Sequence, residues 1–472
     1  MMANKPAGTG DNNFFHINNY FIISFGKINN MLRKELSIIG LGKLGLCLGV
    51  CFASKKFNII GIDNNPKAIS ALKSGSSHIE EPGLMPLLKK YHPYFTFTSD
   101  IAQAIQKTDI TFLVLPTPSL KSGDFDLACL KTALISLAST LRLSRKKYHT
   151  FVIVSTVSPG AINDHLVPLI EKHSRRKLKK GFGVCYNPAF IALGSVIHDF
   201  MQPDLDLIGE SDRQTGDIVA NVKKELFSPH PFCARMSIAS AEITKISLNS
   251  YVTMKISFIN SLADICQKIP QANIDDISRA LGHDKRISPF YLKAGLGFGG
   301  PCFPRDNKAF AAFAKKNKVF PALAKATDQI NKDHTTRIIK AIFDNFPANR
   351  KPISIVGLSY KPNTPVIEES FAINIIKQCL TRKLNVTVYD PQAIANTNAI
   401  FKGRISYAPS LEHCLKASSF WVITNNAPEY YNIGRLTIKN PTTIIDCWGS
   451  ISSPTSPKIK YIVPSNPNRN IP

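Results

Sequence analysis

The apolar positions of this chain fall in short runs with longer helical stretches between them. The runs are LSIIG (36–40), FNIIGID (57–63), YFTFTS (94–99), ITFLVLP (110–116), TFVIVST (150–156), GFGVCYNP (181–188) and LDLIG (205–209). Runs of this length and composition suit strands buried on both faces, and their alternation with helices predicts a parallel sheet covered on both sides. The pattern changes at 239. Residues 239–269 contain neither proline nor glycine and are apolar nearly all round. They predict one long helix, buried in the protein or in a subunit interface. Helical sequence resumes at 308–318, and 347–352 reads as a linker. A second series then follows: ISIVGLSYKPNT (353–364), NVTVYD (385–390), SFWVIT (419–424) and TTIIDCW (442–448). It predicts a smaller parallel α/β unit. The tail 453–472 is rich in Pro, Ser and Asn and is expected to be loosely ordered.

The expected fold class is therefore α/β, with two doubly wound, Rossmann-like parallel-sheet domains joined by a long central helix. A length of 472 residues allows two to four domains at about 150 residues each. The boundaries expected are an extension at 1–34, a first domain at 35–235, a central helical region at 236–346, a second domain at 347–455 and a loose tail at 456–472. The extension is Asn-rich and lacks the basic and apolar regions of a signal peptide. It is expected to be disordered or a misassigned start, since Met31 opens directly onto the first domain.

Composition narrows the function classes. No stretch of about 18 uncharged apolar residues is present, so no membrane span is expected. The ten cysteines form no CxxC and no His/Cys pair at zinc spacing, so no metal is expected. Scattered reduced thiols fit a cytoplasmic protein. The 58 Lys and Arg outnumber the 33 Asp and Glu by 25. That excess can attract polyanions, but no nucleic-acid motif accompanies it, and no specific nucleic-acid partner is expected.

Two stretches carry chemistry. The first strand runs into Gly40-x-Gly42-x-x-Gly45, then a helix, a second strand and Asp63, eighteen residues after Gly45. This is the context of a dinucleotide-binding turn, in which glycines let a pyrophosphate approach the helix N-terminus. Gly40, Gly42, Leu44 and Gly45 are the expected cofactor residues. Asp63 would accept hydrogen bonds from a ribose and repel a 2′-phosphate, so the cofactor expected is NAD. Thr117, Thr156 and Asn187 stand at strand C-terminal ends, where ligands bind in such sheets, although each suits a simple turn equally well.

The second stretch is GLGFGGPCFPRD at 295–306. Cys302 sits in a glycine-lined, proline-stiffened loop beside Arg305 and Asp306. Taken alone it is either a turn around one buried cysteine or a held nucleophile. Upstream, Lys245 and Asn249 are four apart and share a helix face. They read either as a satisfied core pair or as a pair able to stabilise an oxyanion.

The order of motifs resembles the UDP-glucose/GDP-mannose dehydrogenase family over about residues 36–450. The matching pieces are GLGKLG (40–45), EPGL (81–84), PTP (116–118), STVSPG (155–160), AEITK with Asn249, GFGGPCFPRD (297–306) and GLSYKPNT (357–364). The resemblance implies an N-terminal NAD domain, a central helix forming a homodimer or higher homo-oligomer, and a C-terminal domain that binds a nucleotide sugar. It implies oxidation of a sugar CH₂OH to a carboxylate with two NAD, UDP-glucose to UDP-glucuronate being the substrate expected first. Cys302 is then the nucleophile that passes through a thiohemiacetal and a thioester. Lys245 and Asn249 stabilise the oxyanion, and Asp306 and Thr156 handle water and protons. For the substrate the resemblance adds Arg286 (lent across a dimer), Tyr291, Lys293, Gly299, Phe303 and Lys361. For the cofactor it adds Lys67, Thr117 and Thr156.

One departure stands out. Where the family pattern after the STV strand reads NPEFLREG, residues 187–194 read NPAFIALG, so Ala189 and Leu193 replace two glutamates. After KPNT, an acidic pair and an arginine become Pro365, Val366 and Glu368, and a late Asp-x-Arg becomes Asp446-Cys447-Trp448. The alternatives carried forward are a family member that hydrolyses its thioester poorly, and one that takes a UDP-N-acetylhexosamine or GDP-mannose.

Overall fold

The computed structural model describes residues 34–77, 79–348 and 352–466. The expectation for the extension falls on residues 1–33, outside the described ones.

The first sheet has eight strands: β1 Glu35–Ile39, β2 Asn58–Ile62, β3 Phe95–Thr98, β4 Ile110–Leu113, β5 Thr150–Ile153, β6 Gly183–Tyr186, β7 Leu205–Glu210 and β8 Phe232–Ser237. Their order is β3-β2-β1-β4-β5-β6-β7-β8. Two apolar clusters, one on each face, bury the alternate side chains of these strands. The second sheet has six strands: β9 Ile353–Val356, β10 Val386–Tyr389, β11 Ser406–Tyr407, β12 Phe420–Ile423, β13 Thr442–Asp446 and β14 Ile459–Ile462, in the order β11-β10-β9-β12-β13-β14. The central helix, Ile238–Cys266, lies between these units in sequence and packs on β7. At Gly209 a Cβ would stand 2.7 Å from the Cβ of Ala241, so the glycine admits the helix against the sheet.

Three expectations are corrected. The first sheet is not wholly parallel, because β7 runs antiparallel to β6. The buried amide of Asn187 braces this junction, donating to Asp206 Oδ1 and to the carbonyl of Leu207, each at 2.9 Å. The tail is not loose through 466. Strand β14 pairs with β13, Tyr461 donates to Asp446 Oδ2 at 3.0 Å, and Gln267 at the end of the central helix donates to the carbonyl of Pro464 at 2.9 Å. These contacts are tertiary and leave no compositional trace. Finally, the glycine-rich loop ends earlier than expected. A helix, Phe303–Lys316, begins directly after Cys302, with Pro304 in its first turn where a missing N–H costs no bond.

The central helix buries polar residues and exposes apolar ones. Glu242, Lys245, Asn249 and Asn260 are buried, whereas Tyr251, Phe258 and Ile265 are more than half exposed at intervals of seven. Ile243 and Leu248 extend the same exposed set. An apolar stripe of this kind is what a subunit interface covers.

Candidate active site

The cofactor turn is built by steric exclusion. Gly40 has φ +91°, and a Cβ there would run into the carbonyl of Val114. A Cβ at Gly45 would strike the carbonyl of Gly40. By contrast, a Cβ at Gly42 would meet nothing within 4 Å, so that glycine faces open space. Helix Lys43–Ser54 starts there with no side-chain cap. Its first N–H groups are therefore left for an anion such as a pyrophosphate. Asp63 closes the turn, accepting from Leu41 N at 2.8 Å and Asn65 N at 2.9 Å. Leu44 lies in the first turn of the helix and is half-buried. The hydroxyl of Thr117 donates to the carbonyl of Thr156 at 2.7 Å, which ties the PTP and STV strand ends together.

A second cluster surrounds Cys302. Asn249 Nδ2 donates to Asp306 Oδ2 at 2.6 Å, and Arg305 Nε donates to Asp306 Oδ1 at 2.9 Å. Asp306 is fully buried. The Arg305 guanidinium lies 5.1 Å over the ring of Phe125. Lys245 is buried, and its Nζ donates to the carbonyl of Ala189 at 2.8 Å and lies 4.5 Å over the ring of Phe190. A backbone carbonyl and an aromatic face thus meet Lys245 where the family pattern carries a glutamate. Burial lowers the Lys245 pKa, while Asp306 and Cys302 act to raise it.

Cys302 itself opens to solvent as a residue but sits in a recess crowded by protein. Desolvation there raises its thiol pKa; Arg305 and Lys245 pull it back down, and Asp306 and Glu368 add to the rise. Cys302 is thus held less acidic than an ordinary thiol. Its alkylation by iodoacetamide should therefore keep accelerating with pH beyond the point where a small free thiol levels off. Site-resolved mass spectrometry would follow it apart from the exposed Cys129 and Cys233. A profile displaced to lower pH than the free thiol would contradict the geometry.

The second domain closes over this cluster. The Tyr360 ring occupies the space a Cβ at Gly300 would need, and the carbonyl of Glu369 abuts Gly299. Lys361 is half-buried, and burial lowers its pKa against the raising influence of Asp199, Glu81 and Cys302. Tyr291, held at φ +63°, meets the ring of Phe303 edge-on at 6.1 Å. A cleft of about 1000 Å³ opens beside Gly299, walled by Phe298, Tyr360, Phe371 and Trp448 with Lys340 and Lys377. Among the described residues, Arg286, Lys293 and Lys67 are not drawn into either cluster. Arg286 is exposed and paired with Asp284 at 2.6 Å, and Lys293 and Lys67 are exposed. No group of residues suited to holding a metal is found among the described ones.

The residues that hold the glycine loop escape sequence reasoning. Asn331 pairs with Phe298 as a strand would, accepting from its N–H at 2.9 Å and donating to its carbonyl at 3.0 Å. Asn260 accepts from Gly295 N at 3.1 Å and donates to the carbonyl of Leu296 at 3.3 Å. His334 Nε2 lies 2.7 Å from the carbonyl of Gly295. Glu242, fully buried, accepts from the N–H groups of Gly160 and Ile162 at 2.7 and 3.0 Å and so anchors the loop after Thr156. Its carboxyl is pushed up to about 7 by burial. A buried acid in an apolar helix is the only signal any of these residues offers.

A glycine turn shaped for a dinucleotide, together with a buried Lys–Asn–Asp set around a cysteine, points to a dinucleotide-dependent oxidoreductase. Three family models match in order: the UDP-glucose/GDP-mannose dehydrogenase NAD-binding domain over 34–229, the central domain over 239–333 and the UDP-binding domain over 354–453. The chain is 33% identical to a UDP-glucose 6-dehydrogenase of Haloferax volcanii over 84% of this chain and 92% of that one. It is 29% identical to a GDP-mannose 6-dehydrogenase of Pseudomonas aeruginosa over 75% and 81%. A solved UDP-glucose dehydrogenase of Pyrobaculum islandicum superposes with a TM-score of 0.83 at 27% identity, covering 93% of this chain and all of that one. This chain belongs to the UDP-glucose/GDP-mannose dehydrogenase family. It is an NAD-dependent enzyme that oxidises a nucleotide sugar. Among the described residues no helix is long and apolar enough to cross a membrane.

Proposed function

We propose that the substrate is UDP-glucose and the product UDP-glucuronate, formed through covalent attachment to Cys302. The gathering of Lys245, Arg305 and Asp306 about Cys302, with Asn249 on Asp306, supports the covalent route, and similarity to UDP-glucose 6-dehydrogenases supports the sugar. NAD, when bound at the glycine turn, takes up one hydride in each of the two oxidations. The residues of the chain do the rest. The sugar C6 hydroxyl loses its proton and C6 its hydride, leaving an aldehyde. The sulfur of Cys302 adds to C6 as the thiol proton leaves, and the oxygen is held by Lys245 Nζ and Asn249 Nδ2. Loss of the second hydride gives a thioester, and water then breaks the C–S bond to give the carboxylate and the thiol. Asp306 and Thr156 are the groups proposed to manage that water. With Ala189 and Leu193 in place of glutamates, Asp306 and Glu368 are the carboxylates that act electrostatically on Cys302.

Gly299, Phe303, Tyr291 and Lys361 are proposed to enclose the nucleotide sugar, with the adjoining cleft taking its nucleotide end. Gly40, Gly42, Leu44, Gly45, Asp63, Lys67 and Thr117 are proposed to hold NAD. Lys293 is proposed to join the residues around the sugar, and Arg286, exposed in one chain, to complete the substrate site across a homodimer built on the apolar stripe of the central helix.

The test is a panel of UDP-glucose, UDP-N-acetylhexosamines and GDP-mannose, with NADH counted against sugar consumed. UDP-glucose should give two NADH per sugar and the highest kcat/KM, from a protein that sediments as at least a dimer. A higher kcat/KM for another sugar overturns the substrate. A single burst of two NADH per active site, with little uronate released and a sugar thioester retained on Cys302 by intact mass, would establish the stalled-thioester reading that the missing glutamates favour.

A further inference from the structure

Lys43 opens the helix at the glycine turn, one residue after Gly42, and is absorbed by none of the roles above. Its Nζ stands 3.7 Å from Glu81 Oε2, its one ion-pair partner among the described residues. That separation is too long for a hydrogen bond. The two side chains differ sharply: Lys43 is 23% exposed and Glu81 1%. Glu81 does not rely on the lysine for its placement. Its Oε1 accepts from Val196 N at 2.9 Å and its Oε2 from Gly194 N at 3.2 Å. The carboxylate is thus clamped by backbone, while the ammonium is loosely tethered and keeps unspent donors.

We propose that Lys43 is a further cofactor-contacting residue, parked on the buried carboxylate of Glu81 and moving to the pyrophosphate when NAD binds. The inference rests on the reading that the pyrophosphate lies at Gly42. At that place a doubly charged group meets backbone dipoles and, on the same turn, the carboxylate of Asp63. A mobile ammonium one residue away supplies the compensating charge. Glu81 holds it nearby, so little ordering is needed when the anion arrives. The parking site also touches the substrate side. Gly194, which Glu81 holds, has φ +90°, and a Cβ there would stand 2.5 Å from the carbonyl of Asn363 in the loop that carries Lys361.

Parking makes a prediction of sign. Glu81 competes with the pyrophosphate for Lys43, so the two partners should shift NAD binding in opposite directions. Titration calorimetry of NAD on the full-length protein is the measurement. Lys43→Met should weaken binding about tenfold. Glu81→Gln should tighten it by a few-fold, and the double variant should bind as Lys43→Met does. Equal weakening by both single variants, as for an ion pair that merely stabilises the fold, overturns the proposal, and so does unchanged binding by Lys43→Met. If Glu81→Gln does not fold, the salt dependence decides. The slope of log Kd against log salt should be flatter in Lys43→Met than in the parent protein, and equal slopes sink the idea. Gly42→Leu separates the underlying reading, because the open space at Gly42 accommodates the side chain in the fold but leaves none for a pyrophosphate. Intact NAD binding by Gly42→Leu would remove the pyrophosphate from this turn altogether. Its loss beside a neutral Lys43→Met would remove only the role of Lys43.

Discussion

Replacing Cys302 by serine should lower uronate formation by about three orders of magnitude or more while leaving the protein folded and able to bind both ligands. Cys302 is the residue that precedes the first turn of helix Phe303–Lys316. Serine differs from cysteine by one atom, and Cys302 makes no side-chain cap there, so local structure should survive the change. Chemistry should not. An alcohol is a far weaker nucleophile toward the aldehyde than a thiol, and an oxygen ester would hydrolyse less readily than a thioester. Rapid-quench measurement of uronate, with NADH counted in parallel, reads the effect. Calorimetric affinities for NAD and nucleotide sugar should stay within about twofold, since binding is not what the thiol supplies. A variant retaining more than about a tenth of parental turnover would remove the covalent route.

Lys245→Met should lower kcat by a factor of about 10² to 10³, the usual cost of removing one oxyanion-stabilising donor from a dry site. Methionine nearly matches the length of the lysine stem, so the buried space stays filled. The charge alone is lost, with one hydrogen bond to the carbonyl of Ala189. Burial disfavours the Lys245 cation, as the direction of its pKa shift shows. Its removal lifts that penalty but leaves the carbonyl of Ala189 without its donor and buried Asp306 with one cation fewer, so the thermal midpoint should change little compared with kcat. A structural lysine would give the reverse result, with a lowered midpoint and an intact kcat. KM for the nucleotide sugar should move much less than kcat, because the interaction strengthens as negative charge develops on the substrate oxygen.

Much of the architecture is visible in the chain because local rules and tertiary outcome agree. Seven apolar runs became β1 to β7, and the proline-free stretch became one helix of 29 residues. The glycine turn was recoverable for a steric reason: backbone already occupies the places where Cβ atoms at Gly40 and Gly45 would go. Spacing likewise put Lys245 and Asn249 on one face, and the structure buries both.

Other features were invisible because they depend on partners remote in sequence. Strand β14 lies in a stretch whose composition reads as a tail, yet pairing with β13 and the bond from Gln267 hold it in place. The reversal of β7 is braced by Asn187 reaching Asp206 and Leu207. Asn260, Asn331 and His334 look like ordinary helix residues until the glycine loop is laid against them.

By itself, then, the sequence determined most of the elements, the glycine turn and the residue types of the candidate site, since periodicity and steric requirement act over a few residues at a time. It also showed which glutamates were missing. Only the tertiary structure decided what stands in their place: Lys245 rests on the carbonyl of Ala189 and the face of Phe190, and Cys302 feels Asp306 and Glu368. It alone decided that the Cys302 thiol is less acidic than usual, because burial opposes the two cations nearby. Desolvation is a sum over everything packed around a group, and the order of residues along the chain does not reveal that sum.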